Sequence, residues 1–297
     1  MTEPAITLIA GPTASGKSAH ALKLARETGA VIINADSQQL YADLNVLSAR
    51  PSPDDEALAE HRLYGVADAA DPWSVGRWAR ALEPLLADLR DEGRPAVLVG
   101  GTGLYFTALT RGLADIPEVP VRERELASEM FDLIGEVEFR RRLAEVDPVS
   151  AQSIEAGDQQ RLGRAWAVAK TTGRSLSDWH ASTRPILQPG EHQAWVIEPD
   201  RAALYANCDR RVTWMVAAGA LEEVRALMKR RLDPELPAMK AVGVRDFAAH
   251  LTGKMSLEAA VAATQQATRN YAKRQLTWFR NQTPDWPRVA APSVTAP

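Results

Sequence analysis

Gly11-Pro-Thr-Ala-Ser-Gly-Lys17-Ser18 has the spacing G-x-x-x-x-G-K-[ST], the sequence form of a P-loop. The glycines allow backbone N–H groups to curl around phosphate oxygens, and a helix opening at Lys17 adds partial positive charge. Gly11, Pro12, Thr13, Ala14, Ser15 and Gly16 are therefore the candidate phosphate cradle, with Lys17 reaching the terminal phosphate. The Ser18 hydroxyl is a candidate ligand for Mg²⁺. The loop establishes a phosphorylated substrate without saying what is transferred.

A second polar cluster, Asp36-Ser37-Gln38-Gln39, follows directly on an apolar run. Asp36 is placed to act as a general base beside phosphates, and the next three residues to hydrogen-bond a base edge. An ordinary helix cap explains the same residue types. The run at 96–99 leads into Gly100-Gly101-Thr102-Gly103, which lacks the acid that a nucleotide's metal normally requires there. A small-molecule kinase and an RNA-binding switch both remain compatible with the loop alone.

These residues need a scaffold. The short apolar runs at 5–10, 30–34, 96–99 and 194–197 read as buried strands. Helical patterns cover 17–27, 75–91, 201–217, 220–231 and 256–282 between and after them. This predicts an α/β fold, a P-loop NTPase-like parallel sheet flanked by helices. Between about 115 and 193 strand signals vanish and charged helical pattern takes over, so an all-helical subdomain is inserted there. The expected division is 1–114 with 194–297 as core and 115–193 as insertion. From Pro284 onward the chain reads as a frayed tail.

Composition narrows the setting. Of 297 residues 45% are hydrophobic, enough for a large core. No run approaches a membrane span, and no leader is evident, which predicts a cytoplasmic protein. One cysteine, Cys208, excludes internal disulfides, and the five histidines lack metal-ligand spacing. The net charge is −3, but residues 201–297 carry +7 and residues 1–200 carry −10. Such asymmetry suits an anionic partner on one part of the surface.

Five blocks together resemble the tRNA dimethylallyltransferase (isopentenyl-tRNA transferase) family, in order and over nearly the whole chain. They are GPTASGKS, INADSQQLY, VGGTGLYF at 99–106, GDQQRLGRA at 157–165 and RNYAKRQLTWFR at 269–280. The resemblance implies transfer of a dimethylallyl group from dimethylallyl diphosphate to the N6 of an adenine. The target is the adenine 3′ to the anticodon, in tRNAs reading codons that begin with U. Mg²⁺ is the implied cofactor, and the tRNA anticodon stem-loop the partner of a monomeric enzyme.

By resemblance, Asp36, Lys17, Ser18 and Thr102 are catalytic, the Thr102 hydroxyl lying near the departing oxygen and the target nucleotide. Asp36, Ser37, Gln38, Gln39, Thr102, Arg124, Gln160, Arg161, Leu162, Gly163 and Arg164 are the implied tRNA contacts. Lys273, Arg274 and Arg280 suit phosphates; Tyr271, Trp278 and Phe279 could stack on bases but read more readily as a helix packing on the sheet. Two places depart from the pattern. Val244 and Asp246 stand in a block that is often Gly-Tyr-Arg-Glu, and Thr213 stands where an Asp is frequent.

Overall fold

A computed structural model describes residues 6–290 apart from Asp115. Ala5 and the tail beyond 290 lie outside the described residues. Contacts divide the chain into two compact units, one running to Thr110 and resuming at Leu187, the other Arg111–Ile186.

The first unit is built on a six-stranded sheet in which every pairing is parallel. Its elements in chain order are β1 (Ile6–Ala10), α1 (Lys17–Thr28), β2 (Val31–Asn34), α2 (Pro53–Leu58), β3 (His61–Arg62), α3 (Val75–Asp91), β4 (Ala96–Gly100) and α4 (Gly103–Thr110). The second unit supplies α5 (Val121–Val146), α6 (Pro148–Ser153), α7 (Gln159–Thr172) and α8 (Leu176–Ala181). The first unit resumes with β5 (His192–Ile197), α9 (Arg201–Ala217), α10 (Ala220–Lys229), α11 (Val244–Leu251), α12 (Leu257–Gln282) and β6 (Arg288–Val289).

The strand order is β3-β2-β4-β1-β5-β6, which puts the strand feeding the P-loop between β4 and β5. A parallel sheet covered on both faces needs apolar residues at successive positions rather than alternate ones. β1, β2 and β4 accordingly have every residue buried. Ile9, Ile32, Val97 and Val99 pack against Ala21 and Ala25 of α1. Each fully buried Ile or Val contributes roughly 1.5–3 kcal/mol of burial free energy. Leu204 and Cys208 of α9 meet Ala272 and Leu276 of α12, and Ala14 of the P-loop packs on that cluster.

The expected tail is not all frayed: Arg288 and Val289 pair in register with Val196 and Ile197. Arg288 also donates to the Phe279 and Thr283 carbonyls, which anchors this two-residue edge strand. A strand this short carries too little periodicity to be seen in sequence.

Among the described residues, the regular elements of the second unit are all helices, with one isolated antiparallel bridge between Leu113 and Arg184. Gly135, at φ 73°, breaks α5 into two helical pieces. Phe139, Leu143, Leu162, Ala165 and Val168 form its core. The buried carboxylate of Asp147 accepts from the Ser150 amide (3.0 Å) and from the Ser177 amide and hydroxyl (3.2 and 2.7 Å). These bonds give a desolvated charge the partners it needs.

Candidate active site

The P-loop lies between β1 and α1. Ala14 (φ 60°) and Gly16 (φ 83°) take positive φ on either side of Ser15, the alternation that bends a backbone into a concave cradle. α1 starts at Lys17 with Gly16 as its left-handed cap and no side chain covering the first amides. The uncovered amides and the helix dipole both favour an anion.

Pro12 has no N–H to offer a phosphate. Its role is on the carbonyl side, where it accepts from Lys17 Nζ (3.1 Å) and the Ser15 amide (3.3 Å). The Ser15 hydroxyl is buried and has no hydrogen-bond partner among the described residues. That is a donor of the kind a phosphate oxygen satisfies.

Two clamps hold the loop from the far end of the chain. Gln275 of α12 accepts from the Thr13 amide (2.8 Å) and donates to the Gly101 carbonyl (2.9 Å). It thereby ties the P-loop to the turn after β4. Asn207 of α9 donates to the Ala14 carbonyl at 3.2 Å. Replacing Gln275 by leucine strands a buried donor and a buried acceptor together. The expected result is a stability loss of about 1–3 kcal/mol in urea unfolding. A change below measurement error would show that the loop holds itself.

Asp36 sits just past the end of β2. Asn34 brackets it, taking the Asp36 amide on Oδ1 (2.8 Å) and giving Nδ2 to the Asp36 carbonyl (3.0 Å). One Asp36 carboxylate oxygen accepts the Gln38 amide at 3.0 Å. No helix begins at Asp36, so the cap reading fails; residues 37–40 form a turn. Thr102 does not cap α4 through its side chain either. Its hydroxyl accepts the Ser37 amide (2.9 Å) and donates to the Ser37 hydroxyl (3.2 Å), joining the two polar turns.

Thr13, Lys17, Ser18, Asp36, Gln38 and Gln39 all line one cleft in the first unit. Arg211, Tyr271, Thr264 and Thr268 join them, with Leu47, Met215 and Val242 as apolar lining. Burial pushes the Lys17 ammonium down to about 8, against the opposing pull of the Asp36 charge, and Arg211 depresses it further. Burial also raises the Tyr271 hydroxyl, and Asp36 adds to that shift. Tyr271 therefore remains a protonated donor. The cleft combines two cations, one carboxylate and an apolar wall.

No cluster of three or more His, Cys, Asp or Glu suited to a metal exists among the described residues. Mg²⁺ is commonly held by one or two protein oxygens plus substrate phosphates rather than by a full protein cage. The exposed Ser18 hydroxyl on the same cleft fits that pattern.

Several sequence expectations change. Gln39 Nε2 is committed to the Ser48 and Ala49 carbonyls (3.1 and 2.7 Å), so it serves as a loop clamp rather than a free base reader. Leu162 is fully buried in the helical unit's core, which rules it out as an RNA contact. Gly163 is half-buried, and an added Cβ there would sit 3.8 Å from Ala127. Arg124, Gln160, Arg161 and Arg164 are exposed on α5 and α7, with Arg161 paired to Asp158 at 3.3 Å. Phe279 is core, and Trp278 covers Gly103.

Sequence reasoning missed Arg211, Gln275 and Glu223. The Glu223 carboxylate accepts the amides of Asn45 (2.7 Å), Val46 (2.8 Å) and Leu47 (3.0 Å). Each acts on a segment far away in sequence, so no local pattern marks it.

Comparison with known proteins agrees with this geometry. The family model described as IPP transferase matches residues 39–282, and one described as isopentenyl transferase matches residues 4–69. A tRNA dimethylallyltransferase of Phenylobacterium zucineum is 61% identical, covering 97% of this chain and 94% of the relative. One from Caulobacter sp. (strain K31) is 56% identical over the same shares. Among solved structures, a full-length tRNA isopentenylpyrophosphate transferase from Bacillus halodurans superposes with a TM-score of 0.68 at 28% identity, covering 98% of this chain and 91% of the other. A eukaryotic dimethylallyltransferase acting on tRNA shares the fold, with a TM-score of 0.83 at 23% identity, covering 98% of this chain and 74% of the other.

Proposed function

Because this chain belongs to the IPP transferase family, we propose that it moves a dimethylallyl group from dimethylallyl diphosphate to the N6 of the adenine 3′ to the anticodon. Its substrates are tRNAs reading codons that begin with U. The observation that carries this reading is Asp36 on one cleft with Lys17 and Ser18. A proton acceptor thus stands beside a cradle for a leaving anion.

The chemistry follows from that arrangement. The adenine N6 lone pair attacks C1 of the prenyl group as the C1–O bond breaks. The electron pair departs with diphosphate, and the N6 proton passes to the Asp36 carboxylate. Adenine N6 is a weak nucleophile because its lone pair is delocalised into the ring. General-base help of this kind is worth on the order of 10²–10⁴-fold. The P-loop amides, the Ser15 hydroxyl and Lys17 meet the charge that develops on the leaving oxygen, where preorganised donors act most strongly.

Mg²⁺ held by Ser18 would add a further positive charge against that anion. Thr102 and Tyr271 stand on the adenine side of Asp36 in this reading. Ser37 and Gln38 hold the base, while Gln160, Arg161, Arg164 and Arg124 meet the anticodon stem-loop through phosphates and splayed bases. In this reading the enzyme works in the cytoplasm as a monomer. Among the described residues no helix is long and apolar enough to cross a membrane.

The deciding experiment supplies radiolabelled dimethylallyl diphosphate, Mg²⁺ and tRNA lacking the modification. Label in RNA supports the reading; no label together with ATP turnover refutes it.

Donor affinity depends on pH through Lys17, whose ammonium in the free protein titrates at about 8. A bound diphosphate stabilises the ammonium and holds the proton to higher pH. Affinity is therefore full below about 8 and falls above it, approaching tenfold per pH unit. Calorimetry without RNA, in buffers of different ionisation enthalpy, should detect proton uptake above about pH 8. Flat affinity from pH 7 to 9.5 would contradict it.

A further inference from the structure

We propose that Glu223 sets the length of prenyl chain the cleft accepts, by fixing the loop that carries Leu47; the inference rests on the prenyl-transfer reading above. Glu223 is not part of the cleft lining, so it acts as a positioning residue. Its carboxylate takes three successive amides, Asn45, Val46 and Leu47, at 2.7–3.0 Å. Ionised acceptors make the stronger hydrogen bonds, and three on one group fix the backbone direction there.

The rest of the loop is tied down from other elements. Arg211 donates to the Ser48 carbonyl at 3.0 Å, and Gln39 donates to the carbonyls of both Ser48 and Ala49. The Ser48 hydroxyl closes back on the Leu44 carbonyl. Ala49 is held at φ 49°, unusual for a residue with a Cβ. What this frame presents to the cleft is Leu47, only 3% exposed.

Leu47 is closely packed beside Gly243. A Cβ built on Gly243 would meet Leu47 Cδ2 at 3.1 Å, Phe247 at 3.2 Å and Thr264 Cγ2 at 3.2 Å. Leu47, Met215 and Val242 are the larger apolar residues of the cleft lining. These three side chains are the apolar surface the cleft offers a prenyl tail.

The P-loop is held by different contacts, Thr13 to Gln275 and Ala14 to Asn207. The Glu223 clamp on the wall thus shares no hydrogen bond with those that hold the phosphate cradle. Loosening the wall should change which tail fits while leaving diphosphate binding intact.

The test compares the wild-type protein with Glu223→Ala, Glu223→Gln and Leu47→Ala. Donors are dimethylallyl diphosphate and the ten-carbon geranyl diphosphate, with an unmodified anticodon stem-loop as acceptor. Inorganic pyrophosphate serves as inhibitor. For Glu223→Ala, KM for the short donor rises about tenfold and the preference over the long donor falls about tenfold, a methylene-scale effect. The pyrophosphate inhibition constant stays within about twofold, since the cradle is untouched. Glu223→Gln falls between, because an amide accepts through one oxygen only.

Leu47→Ala shifts donor preference the same way with the clamp intact, and it decides the matter if Glu223→Ala does not fold. Unchanged donor preference in both variants, or a parallel loss of kcat and pyrophosphate affinity, overturns the proposal. A wild-type protein that transfers neither donor overturns the underlying reading instead.

Discussion

Asp36→Asn is expected to slow prenyl transfer by about 10²–10⁴-fold while leaving the fold and RNA binding in place. Asparagine is nearly the same shape, and its side-chain oxygen can still accept the Gln38 amide that Asp36 holds at 3.0 Å. The Asn34 bracket uses only the backbone of residue 36, so it survives the change. What disappears is the capacity to take a proton.

One confounding effect has a known sign. The Asp36 charge raises the Lys17 ammonium, so its removal makes Lys17 easier to deprotonate. Assays at several pH values down to about pH 6 separate the two effects, because lower pH restores the Lys17 ammonium and leaves only the loss of the base. A loss under tenfold at the lowest pH would remove Asp36 from the base role. Filter binding of tRNA to the variant checks that recognition is spared.

The second large effect concerns stability. Gly100→Ala should destabilise the protein by about 3 kcal/mol or more, because overpacking against backbone cannot relax by a rotamer change. A Cβ at Gly100 would lie 2.0 Å from the Ala35 carbonyl oxygen and 2.1 Å from its carbon. Ala35 is tied to the same region, its amide donating to the Val99 carbonyl at 2.8 Å. The β2 and β4 ends must therefore separate, taking Asp36 and Thr102 apart with them. Urea unfolding should show an earlier midpoint, and activity should fall with it. A native midpoint would mean the strand ends are looser than the register implies.

Local chemistry was legible where one segment carries its own explanation. The P-loop is contiguous, and so is the turn from Asp36 to Gln39. The buried strands declared themselves because a doubly covered parallel sheet leaves no alternation to confuse. The α3 and α9 bounds match the helical patterns at 75–91 and 201–217, and in the structure Ser74 caps α3 by taking the Arg77 amide on its side chain at 3.2 Å.

What stayed hidden depends on long-range geometry. Gln275 in sequence is one polar residue on a helix, and only the fold brings it to Thr13 and Gly101. Glu223 reads as an exposed helix acid until α10 places it under the Asn45–Leu47 amides. Errors of the opposite kind came from treating a block as uniform. Leu162 stands between two surface arginines in sequence, yet it lies on the stripe with Ala165 that faces the helical unit's core. Reading that block at helical spacing would have separated them.

The Gln275 bridge also bears on how this protein is made. Its partners, Thr13 and Gly101, leave the ribosome long before α12 is translated. Until that last long helix emerges, the P-loop amide and the Gly101 carbonyl lack the partner that joins them. The nascent chain can pair its early strands, but it cannot lock its cradle. Completion of the catalytic site is thus a late event of synthesis, set by a residue 262 positions downstream of the loop it holds.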